Sequence, residues 1–569
     1  MSILFKPNGS LNLATDPSDF KEEGDKFNII SYEMQRLKNL RVDLKGLVQT
    51  RDGSTKFNST ALGQTSINKI IEQGGTRFSF AGTVIYEDEL SIKTGLTDAA
   101  WSAILYNAYN STTQNVFCIN GTDRKRIEDS TVYEMGISAP TNAPIIAAGA
   151  STGLTGDYNA KYTYCRKEST TVVCESNPSP AASSAASLTN ESFSVTWGPS
   201  ADEQVTHVRL YRTQSGGSLY YHDQDVAIGT VTVDSTTADG SLGDEVATDH
   251  DRAPLGSFIA GPTYNGTCFI IKDNLLYYCL PKQPEYWPTN YYIEVSPPQF
   301  PGKSMVFYNG QPYYLTLYKI FFIQGTGHQS FFPIPMDSLT GVQSPNGAVA
   351  IKEHGIYRVG PDGIYLWGFK GDTKVTQENL EPLFRGETVN GVPGVSDLSN
   401  CWLTQFQSKL FFGYMSAGYS YPTNVIMWDL TNKRVVYYNY NNTEIRCVAV
   451  DETNSYLLAG DNSGFVWRLE DSSVSTDDGT AISWEVESKD FTLQTRRHFP
   501  RWCKYDVDAS DDDCSATGTL SLDGVAHQTH SLSGDRKTKR RLVATGNGKT
   551  ASLKVSGSGP VKIYAMEAE

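Results

Sequence analysis

Three stretches of the chain hold residue types with chemistry in them. "DVDASDDDC" (506–514) gathers Asp506, Asp508, Asp511, Asp512 and Asp513. Carboxylates at that density suit a hard divalent cation, but an EF-hand loop needs a glycine at its sharp turn and a closing bidentate glutamate, and both are missing. An acidic surface turn, with weak calcium binding as the alternative, is the expectation. "DGVAHQTH" places His527 and His530 near Asp523. Two histidines three apart share one face of a helix, yet this segment alternates like strand and turn, so a solvated loop is expected instead. "GDRKTKRRL" (534–542) holds Arg536, Lys537, Lys539, Arg540 and Arg541, the densest basic run of an acidic chain. It is the candidate contact for an acidic neighbouring subunit or a phosphate, against the plainer reading of a solvated hairpin tip. No GxSxG or HExxH occurs, and "GKT" (548–550) lacks the P-loop glycine because Val543 stands in its place. No catalytic set, cofactor or metal ligand set is expected.

A fourth stretch, "STDDGTAISW" (475–484), is similar to the Asp-box turn of sialidase propellers. Ser475, Asp477 and Gly479 match that pattern, while Ala481 and Ile482 replace its Thr and Trp. The physical role of such a box is a hairpin turn. A sialidase-like hydrolase would also need an arginine cluster and a Tyr–Glu nucleophile pair, which nothing in the sequence marks.

The elements that must position these residues are read from composition and period. The chain has 569 residues and a net charge of −15, with a pI near 5.1. Length alone suggests about four domains. Hydrophobic residues at 39% and charged residues at 20% place it among globular proteins. The 32 tyrosines and 9 tryptophans favour strands. Gripping a nucleic-acid backbone needs cationic surface, so this charge balance argues for surrounding a nucleic acid rather than holding it. The nine cysteines form no CxxC pair and sit in apolar runs such as "TCFII" and "IRCVAV", which points to buried thiols. "MSILFKPNGS" lacks the regions of a signal peptide, and no apolar run is long enough to span a membrane. Synthesis in a cytosol follows.

Along the chain, "DKFNIISYEMQRLKNL" (25–40) reads as a helix, with Phe27, Ile30, Met34 and Leu37 on one stripe and Asp25 as cap. Everything after it reads as strand. Residues 1–56 form an N-terminal arm with that short helix. Residues 57–140 alternate around polar turns, with Asn120-Gly121 as a type I′ hairpin signal. "APTNAPIIAAGASTG" (139–153) marks a boundary. Residues 141–255, with "DYNAKYTYCRKE", "SFSVTW", "HVRLYRT" and an inward Trp197, resemble an immunoglobulin or fibronectin type III sandwich. Residues 256–472 hold successive hairpins such as "CFIIKDNLLYYC" and "NVIMWDLTNKRVVYYN", which suit the blades of a β-propeller. The strands of 57–140 share that texture and are assigned to the same propeller, with the sandwich inserted between blades. Residues 473–569 read as a second sandwich. The fold class is thus mostly β.

The opening sixty residues resemble the tail nozzle proteins of short-tailed bacteriophages, also called tail tubular protein B or packaged-DNA stabilisation proteins. The resemblance rests on Gly9-Ser10-Leu11-Asn12, on Asn39 to Val42 after the helix-like run, and on Gly46 followed by Arg51-Asp52-Gly53. Asp52 stands where the family commonly has proline, and Asp-Gly keeps the turn. The match covers roughly a tenth of the chain. It implies a virion tail component made in the host cytoplasm. Such a subunit is expected in a homohexameric ring below the head-to-tail adaptor, meeting tail fibres or a needle, with double-stranded DNA passing through the lumen without specific binding. Two alternatives stay open: a glycan-cleaving tail hydrolase, and a tail module that binds host glycan through 141–255.

Overall fold

The computed structural model describes residues 2–568 except 8, 21, 25–27, 32, 44–46, 64, 108–113, 377–378, 493–501, 533, 535–541 and 544–547. Strands make up 52% of the described residues and helical turns 2%, so the protein is mostly β.

Seven four-stranded antiparallel units follow one another in the chain, the first five separate sheets and the last two parts of larger sheets. Their strands run over 67–93, 102–134, 258–294, 302–335, 348–374, 397–439 and 445–471. In each of the first six, the four strands are consecutive in sequence and in space. The seventh takes three strands from 445–471 and its fourth, Gly53–Lys56, from near the N-terminus. The first strand of every sheet touches the first strand of the next, and that of the seventh, Ile445–Asp451, returns to that of the first, Ile67–Gln73. The sheets therefore close into a ring, with the segments 67–134 and 258–471 side by side in it.

Apolar seams join each sheet to its neighbour face to face. Phe80 and Ile85 of the first meet Val116 and Ile127 of the second. Ile104 and Phe117 meet Ile259 and Ile270. Phe269 and Leu276 meet Met305 and Tyr314. Ile67 and Ile70 meet Leu458 and Val466 across the closure. Period-two strands with both faces covered read as near-continuous apolar runs, which is why "TCFII" and "IRCVAV" carry so few polar residues. Cys118, Cys268, Cys279 and Cys447 fall in these seams, and all nine cysteines are unpaired and buried. Burial pushes the Cys447 thiol up to about 11, against the pull of Lys69 and Arg446.

Between the second and third sheets the chain leaves the ring. Residues 145–235 build small sheets around a core of Tyr158, Tyr162, Phe193, Val195, Trp197 and Leu210. Glu285, fully buried in the loop leading to the last strand of the third sheet, ties this unit down. It pairs with Arg166 at 2.7 Å and Arg126 at 3.4 Å, and accepts the Gly136 N–H at 2.9 Å.

Residues after 483 add strands Ser483–Ser488, Trp502–Asp508, Ser515–Leu522, Val525–Ser531, Thr550–Ser558 and Lys562–Ala568. The N-terminal segment interleaves with them. Ser2–Phe5 pairs with Lys562–Ala568, and Met34–Lys38 pairs with Ser483–Ser488. Met34–Lys38 also meets the last strand of the sixth sheet, so one continuous sheet runs from ring to C-terminal region.

The helix expected over 25–40 is not formed. Residues 25–27, with Asp25 and Phe27, lie outside the described residues; Asn28–Ser31 and Met34–Lys38 are strands. The helical spacing has a local cause. A register shift between Met34 and Arg36 adds a residue to the strand, so Met34 and Leu37, three apart, are both buried. Asn39, at φ +52°, does the same between Leu37 and Leu40. The turn at Asn120 also differs from expectation. Asn120 and Asp123 bracket a four-residue loop between paired Ile119 and Arg124, and of the Asn-Gly pair only Gly121 has positive φ, so it is not type I′. Among the described residues no helix is long and apolar enough to cross a membrane.

Candidate functional site

Among the places where the fold gathers charged groups away from water, two concern the ring itself. One is the junction where the ring is closed; the other is the ring's axis.

At the junction, Arg51 is 1% exposed and all its N–H groups are used. Its Nε donates to Asn39 Oδ1 at 3.1 Å, and its Nη1 to the Asp52 carbonyl at 2.9 Å. Nη1 and Nη2 grip the Asp477 carboxylate at 2.9 and 2.5 Å. Nη2 also reaches the Asn439 carbonyl at 3.0 Å, and the guanidinium lies 4.1 Å from the Tyr440 ring centroid. A planar five-donor fork fits such a bidentate site where lysine would not. Burial pulls the guanidinium pKa down, but Asp477 outweighs it, and the group stays above its ordinary value. Ser54 Oγ donates to the same carboxylate at 2.8 Å.

Asn39 is held as tightly. Its Oδ1 also accepts the Asn439 N–H at 2.8 Å, and its Nδ2 donates to the Ser483 carbonyl at 2.8 Å. Asparagine tolerates the left-handed backbone it adopts there. Gly53 leaves room for a close crossing: a Cβ there would stand 2.2 Å from the Thr476 carbonyl oxygen. Upstream, Ser10 Oγ accepts the Val435 N–H at 2.9 Å, and Leu11 N–H donates to the Val435 carbonyl. Arg41 pairs with Asp52, which gives the departure from proline a partner. So Asn39, Arg51 and Gly53 gather at one end of the strand Arg434–Asn439 and Ser10 binds near the other, and together they link the sixth sheet, the seventh sheet and the C-terminal strands. Gly46 lies outside the described residues.

At the axis is a cavity of about 320 Å³. Every first strand of the ring contributes to its wall, from Asn68 and Lys69 in the first sheet to Arg446 in the seventh. The lining is otherwise neutral: serines, asparagines and apolar side chains, with Lys69 and Arg446 its charged members. Sequence reading missed both. The signal was present, since each is a cation inside an apolar inner strand, "INKII" and "IRCVAV".

The structure distributes the expected site residues as follows. Arg536, Lys537, Lys539, Arg540 and Arg541 lie outside the described residues. His527 and His530 lie on the strand Val525–Ser531, His530 opposite Gly518 and His527 at a register shift without a cross-strand partner residue. Asp508 and Asp511 accept from Ser510 and from the Asp513 N–H, as in ordinary turns. Among the described residues no cluster of metal-ligating side chains forms. Asp477, read as part of a turn, does start a small hairpin with Thr480–Ala481, and its carboxylate is the partner of Arg51. No protein-family model and no curated protein sequence matches this chain.

Proposed function

We propose that the chain is a structural subunit of a bacteriophage tail, one wall segment of the nozzle ring that extends the DNA channel below the head-to-tail adaptor. In this reading the closed ring of sheets is a seven-bladed β-propeller, 141–255 is an immunoglobulin-like insertion, and the C-terminal strands form a sandwich completed by the N-terminal segment. The nozzle retains the packaged genome and conducts it on ejection. It works without catalysis or cofactor, in contact with further copies of itself, the adaptor, and tail fibres or needle.

The observation that carries the reading is the gathering of Asn39, Arg51 and Gly53 at one buried seam at the end of the strand Arg434–Asn439, with Ser10 bonded near that strand's start. These residues carry the resemblance to nozzle proteins, and their spacing is accounted for by how the ring is closed and fastened to the C-terminal strands. Charge supports it too. At −15 a wall of such subunits repels phosphate, so duplex DNA slides without sticking. The axial cavity, at about 320 Å³, is the size of a small-ligand pocket. The conduit for DNA is therefore enclosed between copies, not inside one.

Negative-stain microscopy of the purified protein, with native mass measurement, tests the reading. Closed rings of six copies with an open lumen are expected, and the same rings at the tail tip of virions. A stable monomer that cleaves host polysaccharide would overturn it, as would a monomer whose 141–255 region captures glycan.

A further inference from the structure

Lys69 and Arg446 come from neighbouring first strands, where the ring closes on itself. Arg446 Nη1 bonds Ser66 Oγ, and its guanidinium rests 4.9 Å from the Tyr421 ring centroid. Both side chains line the cavity at the junction of the first and seventh sheets. Among the described residues neither cation has a carboxylate in ion-pair contact; the nearby Asp98 accepts from Asn68 Nδ2 at 2.8 Å and Asp397 from the Ser399 N–H at 2.8 Å, and neither carboxylate lines the cavity. Burial holds the Lys69 ammonium below the ordinary lysine pKa, with the Cys447 thiol as its one upward influence. A half-buried cation with no counter-charge is costly, and a second cation beside it adds to the cost.

We infer that the axial cavity is a binding site for a small oxyanion of the phosphate class, held between Lys69 and Arg446. The ligand supplies the negative charge that the wall omits. An anion that bridges two cations in a walled cavity gains charge-assisted hydrogen bonds that water outside would weaken. The neutral lining excludes competing carboxylates, and the volume limits the ligand to a small molecule. The inference stands on the cavity alone and does not depend on the nozzle reading.

The test is thermal unfolding and titration calorimetry of the full chain with inorganic phosphate, against chloride at equal ionic strength. Phosphate is expected to raise Tm saturably and chloride to leave it unchanged, because a ligand of the native state stabilises by mass action. Lys69→Met is expected to have a higher Tm than the parent without phosphate, since it removes an uncompensated charge at similar volume. It should bind phosphate at least about 10-fold more weakly. Lys69→Gln, which keeps a polar tip, should lose the response as well. A mononucleotide run alongside separates the sources of the group: tighter binding of it assigns an esterified phosphate, tighter binding of phosphate the free ion. Equal phosphate response in parent and both variants, or no response in the parent beyond that of chloride, overturns the site.

Discussion

Arg51 and Lys69 are both cations taken out of bulk water, and the fold treats them in opposite ways. Arg51 has a bidentate carboxylate, two carbonyls, an amide oxygen and an aromatic ring around it. Lys69 has a cavity and a thiol. A completed environment fixes one geometry, here the crossing of the N-terminal segment between ring and C-terminal strands. An incomplete one leaves electrostatic demand for something to fill. The contrast separates a charge that builds the structure from a charge held ready for a ligand, although both are cations in a β-rich interior.

The largest expected effect comes from breaking the completed site. Arg51→Met leaves Asp477 buried and unpaired, and truncating one partner of a buried pair costs about 3–5 kcal/mol. Urea unfolding measures it. The double variant Arg51→Met, Asp477→Leu should recover at least half, because the residual charge is gone. A single-variant loss below about 1 kcal/mol would mean that Arg51 is no more committed than an ordinary surface charge, and the contrast with Lys69 would vanish.

Glu285 sharpens the comparison with a third buried charge, at 0% side-chain exposure between Arg126 and Arg166. It fastens the 145–235 unit to the ring rather than closing the ring itself. Glu285→Gln should cost about 2–4 kcal/mol. The loss should be local, read as earlier proteolysis near residues 139–144 and 250–256 while the ring's amides stay protected from hydrogen exchange. Uniform loss of protection over the whole chain would refute a separable insertion.

Much of this was legible in the sequence, and the failures share a cause. Strand-and-turn texture and the inward Trp197 are local patterns, and local patterns survive translation into structure. The helix over 25–40 failed because a bulge and a left-handed Asn39 give strand residues a helical spacing, and no short window distinguishes the two. The closing strand Gly53–Lys56 pairs with Val466–Asp471, and Arg51 finds Asp477; pairings across four hundred residues leave no periodicity to read. The axial pair was hidden for the same reason. Lys69 and Arg446 each look like one polar residue in an apolar run, and only ring closure makes them neighbours.

Gly53 offers a steric probe of the same seam. A methyl group there meets the Thr476 carbonyl oxygen at 2.2 Å, so backbone has to move. Gly53→Ala should cost about 1–3 kcal/mol, the range for overpacking. Gly198→Ala, with no atom within 4 Å of the added Cβ, is the control and should stay within about 0.5 kcal/mol of the parent. Equal values for the two would show that the seam is loose.

The smallest effect lies with the second carboxylate near Arg51. Glu470 does not touch the guanidinium; it accepts from Tyr440 Oη at 2.8 Å, and Lys409 stands 3.9 Å away. Burial raises its pKa above the ordinary glutamate value, against the pull of Lys409 and Arg51. Between the unfolded pKa, about 4.3, and the raised folded value, the native state holds a proton that the unfolded chain has released. Its contribution to stability is therefore complete below that window and falls as pH rises through it. Glu470→Gln cannot ionise, keeps an acceptor for Tyr440, and should remove that slope. Unfolding free energies at pH 4 and pH 8 check it: relative to the parent, the variant should gain stability on going to the higher pH. If the pH dependence is the same in both proteins, Glu470 is ionised beside Arg51 after all, and the completed site holds two carboxylates rather than one.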